Sequence, residues 1–303
     1  MKRSAPTPPR LSHFSPLRYP GGKAKLAPYV KAIIVANGLS DGEYVEPFAG
    51  GAAVAMELLL QEYVSKVRIN DISRPVYSFW KSVLTQTDAL CKRVRNTSLT
   101  VASWDKQKAV LLNPDEHDDL ELGFATFYLN RTNRSGILNG GIIGGRAQTG
   151  AWKIDARYNA PELVARIESI AKMRSRISLT NKDALSFLKY GIKRWPSNTL
   201  IYLDPPYYEK GRDLYYDFYN HNDHARVAEF VTTAIKEQNW IVSYDNAAPI
   251  RKLYQGCERL TYTVGYSARD RSEGTEIMFF DDHLVVPALV GPITPAPMAH
   301  KGG

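Results

Sequence analysis

The stretch that most constrains this chain is residues 200–208, Leu-Ile-Tyr-Leu-Asp-Pro-Pro-Tyr-Tyr. Its first four residues are mostly apolar and of high β propensity, which predicts a buried strand. Pro205 and Pro206 end that strand, because neither has a backbone N–H to donate. Pro205 also keeps Asp204 out of helical geometry. The Asp204 carboxylate, the Pro205 carbonyl and the Tyr207 ring are therefore presented together where the strand ends.

The carboxyl end of a strand is where ligands bind in an open α/β sheet. A plain turn after a core strand would have the same sequence, so this stretch alone leaves a structural and a catalytic interpretation open. Motifs elsewhere in the chain decide between them.

Length and composition exclude several classes of protein. The 303 residues can bury a sizeable core, and no run reaches the roughly 18 apolar residues of a membrane span. Residues 1–9 are basic and proline-rich with no apolar segment behind them, so we expect no secretory signal and a cytoplasmic location. Cys91 and Cys257 are the only cysteines and form no C-x-x-C motif, which argues against a disulfide framework or a zinc ribbon.

The charge of the chain indicates its partners. A formal net charge of +8 favours a polyanion, and nucleic acid is the obvious candidate, although many basic proteins bind none. His221 and His224 form an i, i+3 pair, but no acidic ligand pattern lies nearby, so we expect no metal site.

Residues 44–63 predict a strand, a glycine turn and a helix. The turn consists of Glu46, Pro47, Phe48, Ala49, Gly50 and Gly51. It has only two adjacent glycines, so it differs from a dinucleotide fingerprint and suits a smaller cofactor. The next strand, residues 66–69, ends at Asn70 and Asp71, where a carboxylate can accept hydrogen bonds from ribose hydroxyls. Together these elements predict a nucleoside-bearing ligand.

Residues 17–23, Leu-Arg-Tyr-Pro-Gly-Gly-Lys, precede an amphipathic stretch over residues 26–35. Pro-Gly-Gly predicts a sharp turn that lets the backbone approach another group closely, and Lys23 places a cation there.

The alternation of strands and helices lapses from about residue 88 to residue 181. This block contains Asn-Arg-Thr-Asn-Arg-Ser-Gly at residues 130–136, a glycine-rich run at residues 140–145, and then Arg146, Trp152 and Arg157. Arginines interleaved with Asn, Gly and aromatic residues suit base and phosphate contacts. A solvated surface insertion is the alternative interpretation.

The strand pattern then resumes at residues 177–184 and continues at residues 200–203 and 240–244. Two final strands, residues 259–266 and 275–280, predict an antiparallel hairpin.

The order of these motifs resembles the Dam-like, alpha-group (D12 class) DNA adenine-N6 methyltransferases. The matching motifs are Y-P-G-G-K, E-P-F-A-G-G, N-D, N-R-T-N-R-S-G and D-P-P-Y, in that order. The resemblance implies an α/β, Rossmann-like S-adenosylmethionine-dependent methyltransferase fold, with a mostly parallel seven-stranded sheet and a reversed C-terminal hairpin. It also implies a catalytic domain of residues 13–87 and 176–286, interrupted by a DNA target-recognition domain of residues 88–175. From composition we expect a disordered leader at residues 1–12 and a disordered tail at residues 287–303.

The same resemblance implies roles for individual residues. The expected cofactor-binding residues are Tyr19, Lys23, Glu46, Pro47, Phe48, Ala49, Gly50, Gly51, Asp71, Asp183, Ala184 and Asp204, with Asp71 on the ribose and Asp183 on the adenine. The expected DNA-binding residues are Arg131, Asn133, Arg134 and Arg146. The expected catalytic residues are Asp204, Pro205, Pro206 and Tyr207, and no metal is expected. The partner is double-stranded DNA, and a cognate restriction endonuclease encoded elsewhere stays open.

This chemistry fits the residue types. The adenine N6 lone pair is delocalised into the ring, and Asp204 with the Pro205 carbonyl can accept both amino hydrogens and so localise it. Positive charge then develops on the nitrogen, where a carboxylate stabilises it. Tyr207 offers a face on which the flipped base can stack.

Three other interpretations remain. Methylation of cytosine N4 uses the same exocyclic amine, but Asp rather than Ser before P-P-Y favours adenine. An RNA or protein-glutamine methyltransferase is expected to have Asn at that position. A DNA-binding relative without catalysis is disfavoured by the intact acidic set Glu46, Asp71, Asp183 and Asp204.

Overall fold

The computed structural model describes residues 14–18, 23–209, 219–264 and 275–296. The eight strands of these residues are β1 Glu43–Glu46, β2 Lys66–Asn70, β3 Ile177–Thr180, β4 Leu200–Leu203, β5 Asn239–Asp245, β6 Glu258–Val264, β7 Thr275–Phe280 and β8 Ile293–Pro295. The α-helices are α1 Ala27–Ala36, α2 Ala53–Leu60, α3 Arg74–Thr85, α4 Thr87–Asn96, α5 Val101–Leu112, α6 Asp119–Thr132, α7 Ala160–Lys172, α8 Ala184–Gly191, α9 His221–Thr233 and α10 Ala248–Leu253. Short 3-10 helices cover Lys23–Leu26, Pro114–Glu116, Arg134–Gly136 and Arg174–Arg176. The predicted leader, residues 1–12, lies outside the described residues.

All eight strands form one sheet in the order β3-β2-β1-β4-β5-β7-β6-β8. Strands β1 to β5 pair in parallel, whereas β7 runs antiparallel between β5 and β6. The predicted parallel sheet with a reversed C-terminal hairpin is confirmed. The strand order changes direction between β1 and β4, and a crevice at such a switch point is where α/β sheets bind ligands.

Helices cover both faces of the sheet, because the residues of each strand alternate between them. Leu200 and Tyr202 of β4 belong to the same core cluster as Tyr29 of α1. Ile201 and Leu203 face the other cluster, with residues of α8, α9 and α10. Strand β4 is therefore buried on both faces, as its apolar sequence predicts.

Residues 88–175 are largely helical and pack directly on the rest of the fold. The Phe79 ring of α3 stacks on the Phe127 ring of α6, with 5.9 Å between the centroids. Leu90 of α4 and Ile167 of α7 belong to the same core cluster as the sheet. The helices of the predicted inserted domain thus share their core with the sheet, and among the described residues a small second cluster around Leu111 and Leu129 is their own.

The prediction of a disordered tail is wrong for residues 287–296. Residues Ile293–Pro295 pair antiparallel with β6 as β8, and Ile293 is buried. The Tyr29 hydroxyl also donates a hydrogen bond to the Pro287 carbonyl at 3.1 Å. Prolines are tolerated in this segment because β8 is an edge strand.

Among the described helices, none is long and apolar enough to cross a membrane.

Candidate active site at the switch point of the sheet

A cavity of about 680 Å³ opens at the carboxyl ends of β1 and β4. The residues of the predicted cofactor and catalytic sets that line it are Lys23, Glu46, Pro47, Phe48, Ala49, Gly50, Gly51, Asp71, Ala184, Asp204 and Pro206. Five separate parts of the sequence, around residues 23, 46–51, 71, 184 and 204–206, therefore meet in one site. Tyr19 lies outside the described residues.

The glycine turn after β1 is hydrogen-bonded to the residue that follows β2. Gly50 has a positive φ of 45°, and its N–H donates a hydrogen bond to Oδ2 of Asp71 at 2.7 Å. The Oδ1 atom of Asp71 accepts from the Ser73 N–H at 2.9 Å. Asp71 also lines the cavity, beside the glycine turn. The sequence predicted Asp71 as a ligand contact and did not reveal that it also holds the turn.

Glu46 ends β1 as a buried carboxyl that is only 4% exposed. Its Oε1 atom accepts hydrogen bonds from the Tyr44 hydroxyl at 3.0 Å and the Ala55 N–H at 3.1 Å. Burial raises the pKa of Glu46 to about 8, and these two hydrogen bonds oppose the rise. A cation entering the cavity would favour the ionised form of this carboxyl.

Asp204 lies in a buried polar network with Lys23 and Ser243. The Lys23 Nζ atom lies 3.1 Å from Oδ1 of Asp204, and the Ser243 hydroxyl donates to the same oxygen at 2.8 Å. Burial raises the pKa of Asp204, while the charge of Lys23 and the Ser243 hydrogen bond oppose that shift. Within the described part of the chain both contacts involve Oδ1, so we expect Oδ2 to be the oxygen that meets a ligand.

Glu276 of β7 forms a second ion pair with the ammonium group of Lys23. The Lys23 Nζ atom lies 3.0 Å from Oε2 of Glu276, and the Tyr262 hydroxyl donates to that oxygen at 2.8 Å. Burial alone would lower the pKa of Lys23, but Asp204 and Glu276 together raise it well above its usual value. Lys23 is therefore a charged bridge between two carboxyls.

Tyr207 is less open to a ligand than its motif suggests. It is 7% exposed, and its hydroxyl donates to Oε1 of Glu276 at 2.7 Å. The Lys23 Nζ atom lies 5.2 Å from the centroid of its ring. The structure thus gives the hydroxyl a hydrogen-bonding role that the sequence did not predict, and base stacking on the ring stays a prediction.

The sequence interpretation missed Ser243 and Glu276. Each is a buried polar residue, and the other buried residues of its strand are apolar or aromatic. Buried polar side chains require hydrogen-bond partners, so this pattern was the available signal.

Asp183 acts locally as the N-cap of α8. Its Oδ1 atom accepts hydrogen bonds from the Ser186 N–H at 2.9 Å and the Ser186 hydroxyl at 3.0 Å. Its side chain is exposed beside Ala184, which lines the cavity. Its predicted contact with the cofactor adenine stays a prediction.

The four predicted DNA-binding residues divide into two pairs. Arg134 and Arg146 are exposed, and Arg146 forms a two-pronged ion pair with Asp105. Asn133 is fully buried, where its side chain accepts from the Trp104 indole N–H at 2.6 Å and donates to two backbone carbonyls. The amide of Asn133 therefore binds the protein itself in this structure, and its predicted contact with DNA stays a prediction.

Arg131 is also turned inward. It is 7% exposed, lines the cavity and donates through Nε to the Pro16 carbonyl at 2.8 Å. The structure thus places Arg131 inside the cavity, and its predicted contact with DNA stays a prediction.

The sheet order, the glycine turn after β1 and the acidic residue after β2 together define the fold class of the S-adenosylmethionine-dependent methyltransferases. The family model of the D12 class N6 adenine-specific DNA methyltransferases matches residues 19–267. The chain belongs to that family.

Two curated relatives are similar over most of their length. The type II methyltransferase M.MjaIII of Methanocaldococcus jannaschii is 23% identical over 265 residues, which are 79% of this chain and 87% of the relative. The type II methyltransferase M.CviBI of Paramecium bursaria Chlorella virus NC1A is 24% identical over 257 residues, which are 80% of this chain and 88% of the relative. Among solved structures, the rRNA methyltransferase aviRa from Streptomyces viridochromogenes is 13% identical, with a TM-score of 0.37 over 86% of this chain and 85% of that one.

Proposed function

We propose that this protein is a site-specific DNA methyltransferase (adenine-specific), which transfers the methyl group of S-adenosylmethionine to N6 of a flipped adenine in double-stranded DNA. One observation carries the proposal: Asp204 of the D-P-P-Y motif shares a cavity with the glycine turn and Asp71. The family membership and the two type II relatives support it.

The residues of the cavity fit the proposed cofactor. Its volume of about 680 Å³ lies within the range of roughly 300–1,000 Å³ that is usual for small-molecule sites. Asp71 would accept hydrogen bonds from the ribose hydroxyls, and the turn from Glu46 to Gly51 would face the methionine part. The bound cofactor would supply an electrophilic methyl group on a positively charged sulfur. The acidic side chains Glu46 and Asp204 in the same cavity favour a ligand with cationic groups.

The carboxyl of Asp204 would act on the target amine. Its Oδ2 atom and the Pro205 carbonyl would accept the two N6 hydrogens, while Lys23 and Ser243 hold Oδ1 in place. As the nitrogen bonds to the methyl group, it gains positive charge, and a preorganised carboxylate stabilises that charge most at this moment. The methyl–sulfur bond would break with its electron pair left on the sulfur, which becomes neutral. The nitrogen would pass one of its two protons to the Asp204 carboxylate and become a neutral secondary amine.

The target base must leave the duplex to reach this carboxyl, at a cost of a few kcal/mol. The net charge of +8 and the exposed Arg134 and Arg146 support the approach of the DNA backbone. The protein would act in the cytoplasm, alone or beside a cognate restriction endonuclease.

The proposal is tested by incubating the protein with S-adenosylmethionine labelled on its methyl group and with duplex DNA of mixed sequence. We expect the label in the DNA, and none with Asp204→Ala at equal times. Asp88→Ala is the matched control, because Asp88 is an exposed carboxyl in the first turn of α4. Label in neither DNA sample, although the cofactor binds, would contradict the proposal.

A further inference from the structure

One wall of the cavity is lined by four arginines from separate segments. They are Arg18, Arg131 of α6, Arg157 and Arg166 of α7, and we call them the arginine wall. Among the described residues the only ion pair of the wall joins Arg166 to Glu162, four residues earlier on the same helix. The wall therefore has a surplus of positive charge.

The two inner members of this wall are deeply buried. Arg131 is 7% exposed and Arg166 is 8% exposed. The Arg131 Nε atom donates to the Pro16 carbonyl, and Arg166 Nη1 donates to the Ser15 carbonyl at 3.0 Å. Burial, and then the charges of Arg166 and Arg18, lower the pKa of Arg131 to about 9. Charged groups gathered in this way are costly without a counter-ion.

Two donors of the wall have no hydrogen-bond partner in the described part of the chain. They are Nη1 of Arg18 and Nε of Arg166, both fully buried atoms. Buried donors are rarely left unpaired in a folded protein, and a bound ligand is one way to satisfy them. A cationic wall with free N–H groups fits an oxyanion, either a carboxylate or a phosphate.

The position of the wall favours a carboxylate on the cofactor. The Ser15 carbonyl accepts from Arg166, and the Ser15 hydroxyl donates to the Gly51 carbonyl at 2.5 Å. The wall thus lies against the glycine turn, at the start of α2. Glu46 reaches the same helix, because its Oε1 atom accepts from the Ala55 N–H. A carboxyl and a group of arginines that both lie near the start of α2 match the two charges of an amino acid zwitterion.

We propose that the arginine wall binds the α-carboxylate of the methionine part of S-adenosylmethionine, with Glu46 facing its α-ammonium group. This inference rests on the proposed function of the cavity. It assigns Arg131 to the cofactor rather than to DNA. Arg157 is exposed, and its Cζ atom lies 5.9 Å from the centroid of the Trp152 ring. A phosphate on the surface of a duplex would reach Arg157 before it could reach the buried Arg131.

The test compares two cofactors that differ only in this carboxylate. Binding of S-adenosylmethionine and of decarboxylated S-adenosylmethionine is measured by calorimetry, without DNA, for the wild type and Arg18→Gln. Loss of a charge-assisted hydrogen bond should weaken binding of the complete cofactor about tenfold. Binding of the decarboxylated cofactor should change less than about twofold, since it lacks the group that Arg18 would contact.

Two further variants sharpen the comparison. Arg18→Lys keeps a charge at the wall and should retain most of the affinity for the complete cofactor. Arg95→Gln removes an exposed arginine of α4 that pairs with Glu168 away from the cavity, and should change neither affinity. Arg18 is chosen over Arg131 because it is less buried, so its replacement disturbs the fold less.

The outcomes separate the two proposals. Equal loss of affinity for both cofactors, or no loss for either, would overturn the carboxylate site and leave the proposed function standing. Weaker binding of Arg18→Gln to a fluorescent duplex, with unchanged cofactor affinity, would assign the wall to a DNA phosphate instead. A wild-type protein that binds neither cofactor would overturn the proposed function itself.

Discussion

At the scale of single residues, Asp204 combines burial with a fixed orientation. Lys23 and Ser243 both contact its Oδ1 atom, so the carboxyl cannot rotate without losing two contacts. An oriented negative group in a site with little water stabilises developing positive charge more strongly than the same group in solution.

The first prediction follows from this charge. Asp204→Asn keeps the shape of the side chain and removes its charge, so single-turnover methyl transfer should fall by about 100-fold or more. The affinities for cofactor and DNA should change much less, because the variant removes an interaction that is strongest in the transition state. Asp88→Asn is the control. A variant with nearly wild-type single-turnover rates would exclude Asp204 from the reaction.

The second prediction separates the two parts of Tyr207. Tyr207→Phe keeps the ring and removes the hydrogen bond to Glu276, which still has Lys23 and Tyr262 as partners. We expect a loss of roughly 1 kcal/mol in the free energy of unfolding and substantial remaining activity. Tyr207→Ala also removes the ring, and should weaken capture of the flipped base by roughly 1 to 3 kcal/mol. If both variants are equally inactive in single-turnover assays, Tyr207 acts through its hydroxyl and the prediction of base stacking on its ring is wrong.

The third prediction concerns Glu46 and pH. Its pKa of about 8 in the free protein means that the carboxyl binds a proton at pH 7. A cationic ligand favours the ionised form, so binding should release this proton, and affinity should rise with pH until about pH 8 and then level off. The amino group of the cofactor also titrates at about pH 8 and contributes to the pH dependence of binding. Its contribution is the same for the wild type and for Glu46→Gln, so the difference between the two proteins belongs to Glu46.

Proton release is measured directly by calorimetry at pH 7 in two buffers with different heats of ionisation. The wild type should release more protons per cofactor bound than Glu46→Gln does. Equal release by the two proteins would show that Glu46 keeps its proton in the complex.

At the scale of elements, the parts that follow from local sequence were predicted well. Two prolines end β4, and its continuous apolar run places it between two cores. The final hairpin follows from strand patterns on each side of a glycine-containing loop. Strand β8 was missed, because three residues of a proline-rich tail carry no strand pattern of their own and pair only where β6 offers an edge.

The polar network was missed for a related reason. Ser243 and Glu276 meet Asp204 and Lys23 only after strands distant in sequence are aligned in the sheet. A single sequence shows that a polar residue lies in an apolar strand, but it does not show its partner. The inward positions of Arg131 and Asn133 depend in the same way on how α6 packs.

The fourth prediction concerns the segment that follows α6. Arg134 is exposed where the backbone turns back, with its own N–H donating to the Gly141 carbonyl at 3.0 Å. Arg134→Gln should weaken DNA binding at low salt and reduce the slope of log affinity against log salt by about one, with unchanged cofactor affinity. The control is Arg95→Gln, which removes the same charge elsewhere. An unchanged salt slope would exclude a phosphate contact by Arg134.

At the scale of the whole molecule, the cavity joins parts of the chain that are far apart in sequence. Residues 14–18, the glycine turn, the end of β4 and the helices α6 and α7 all contribute to its lining. The helices between β2 and β3 therefore contribute to the cavity as well as to the predicted DNA-binding segment. Through Arg131 and Arg166 they also form part of the proposed cofactor site.

The central claim is that this cavity methylates adenine at N6, and the identity of the modified nucleoside tests it most directly. DNA of mixed sequence, free of methylated bases, is incubated with the protein and S-adenosylmethionine, digested to nucleosides and analysed by mass spectrometry. We expect N6-methyldeoxyadenosine, formed by the wild type and not by Asp204→Asn. N4-methyldeoxycytidine in its place, or no methylated nucleoside from a protein that binds both ligands, would contradict it.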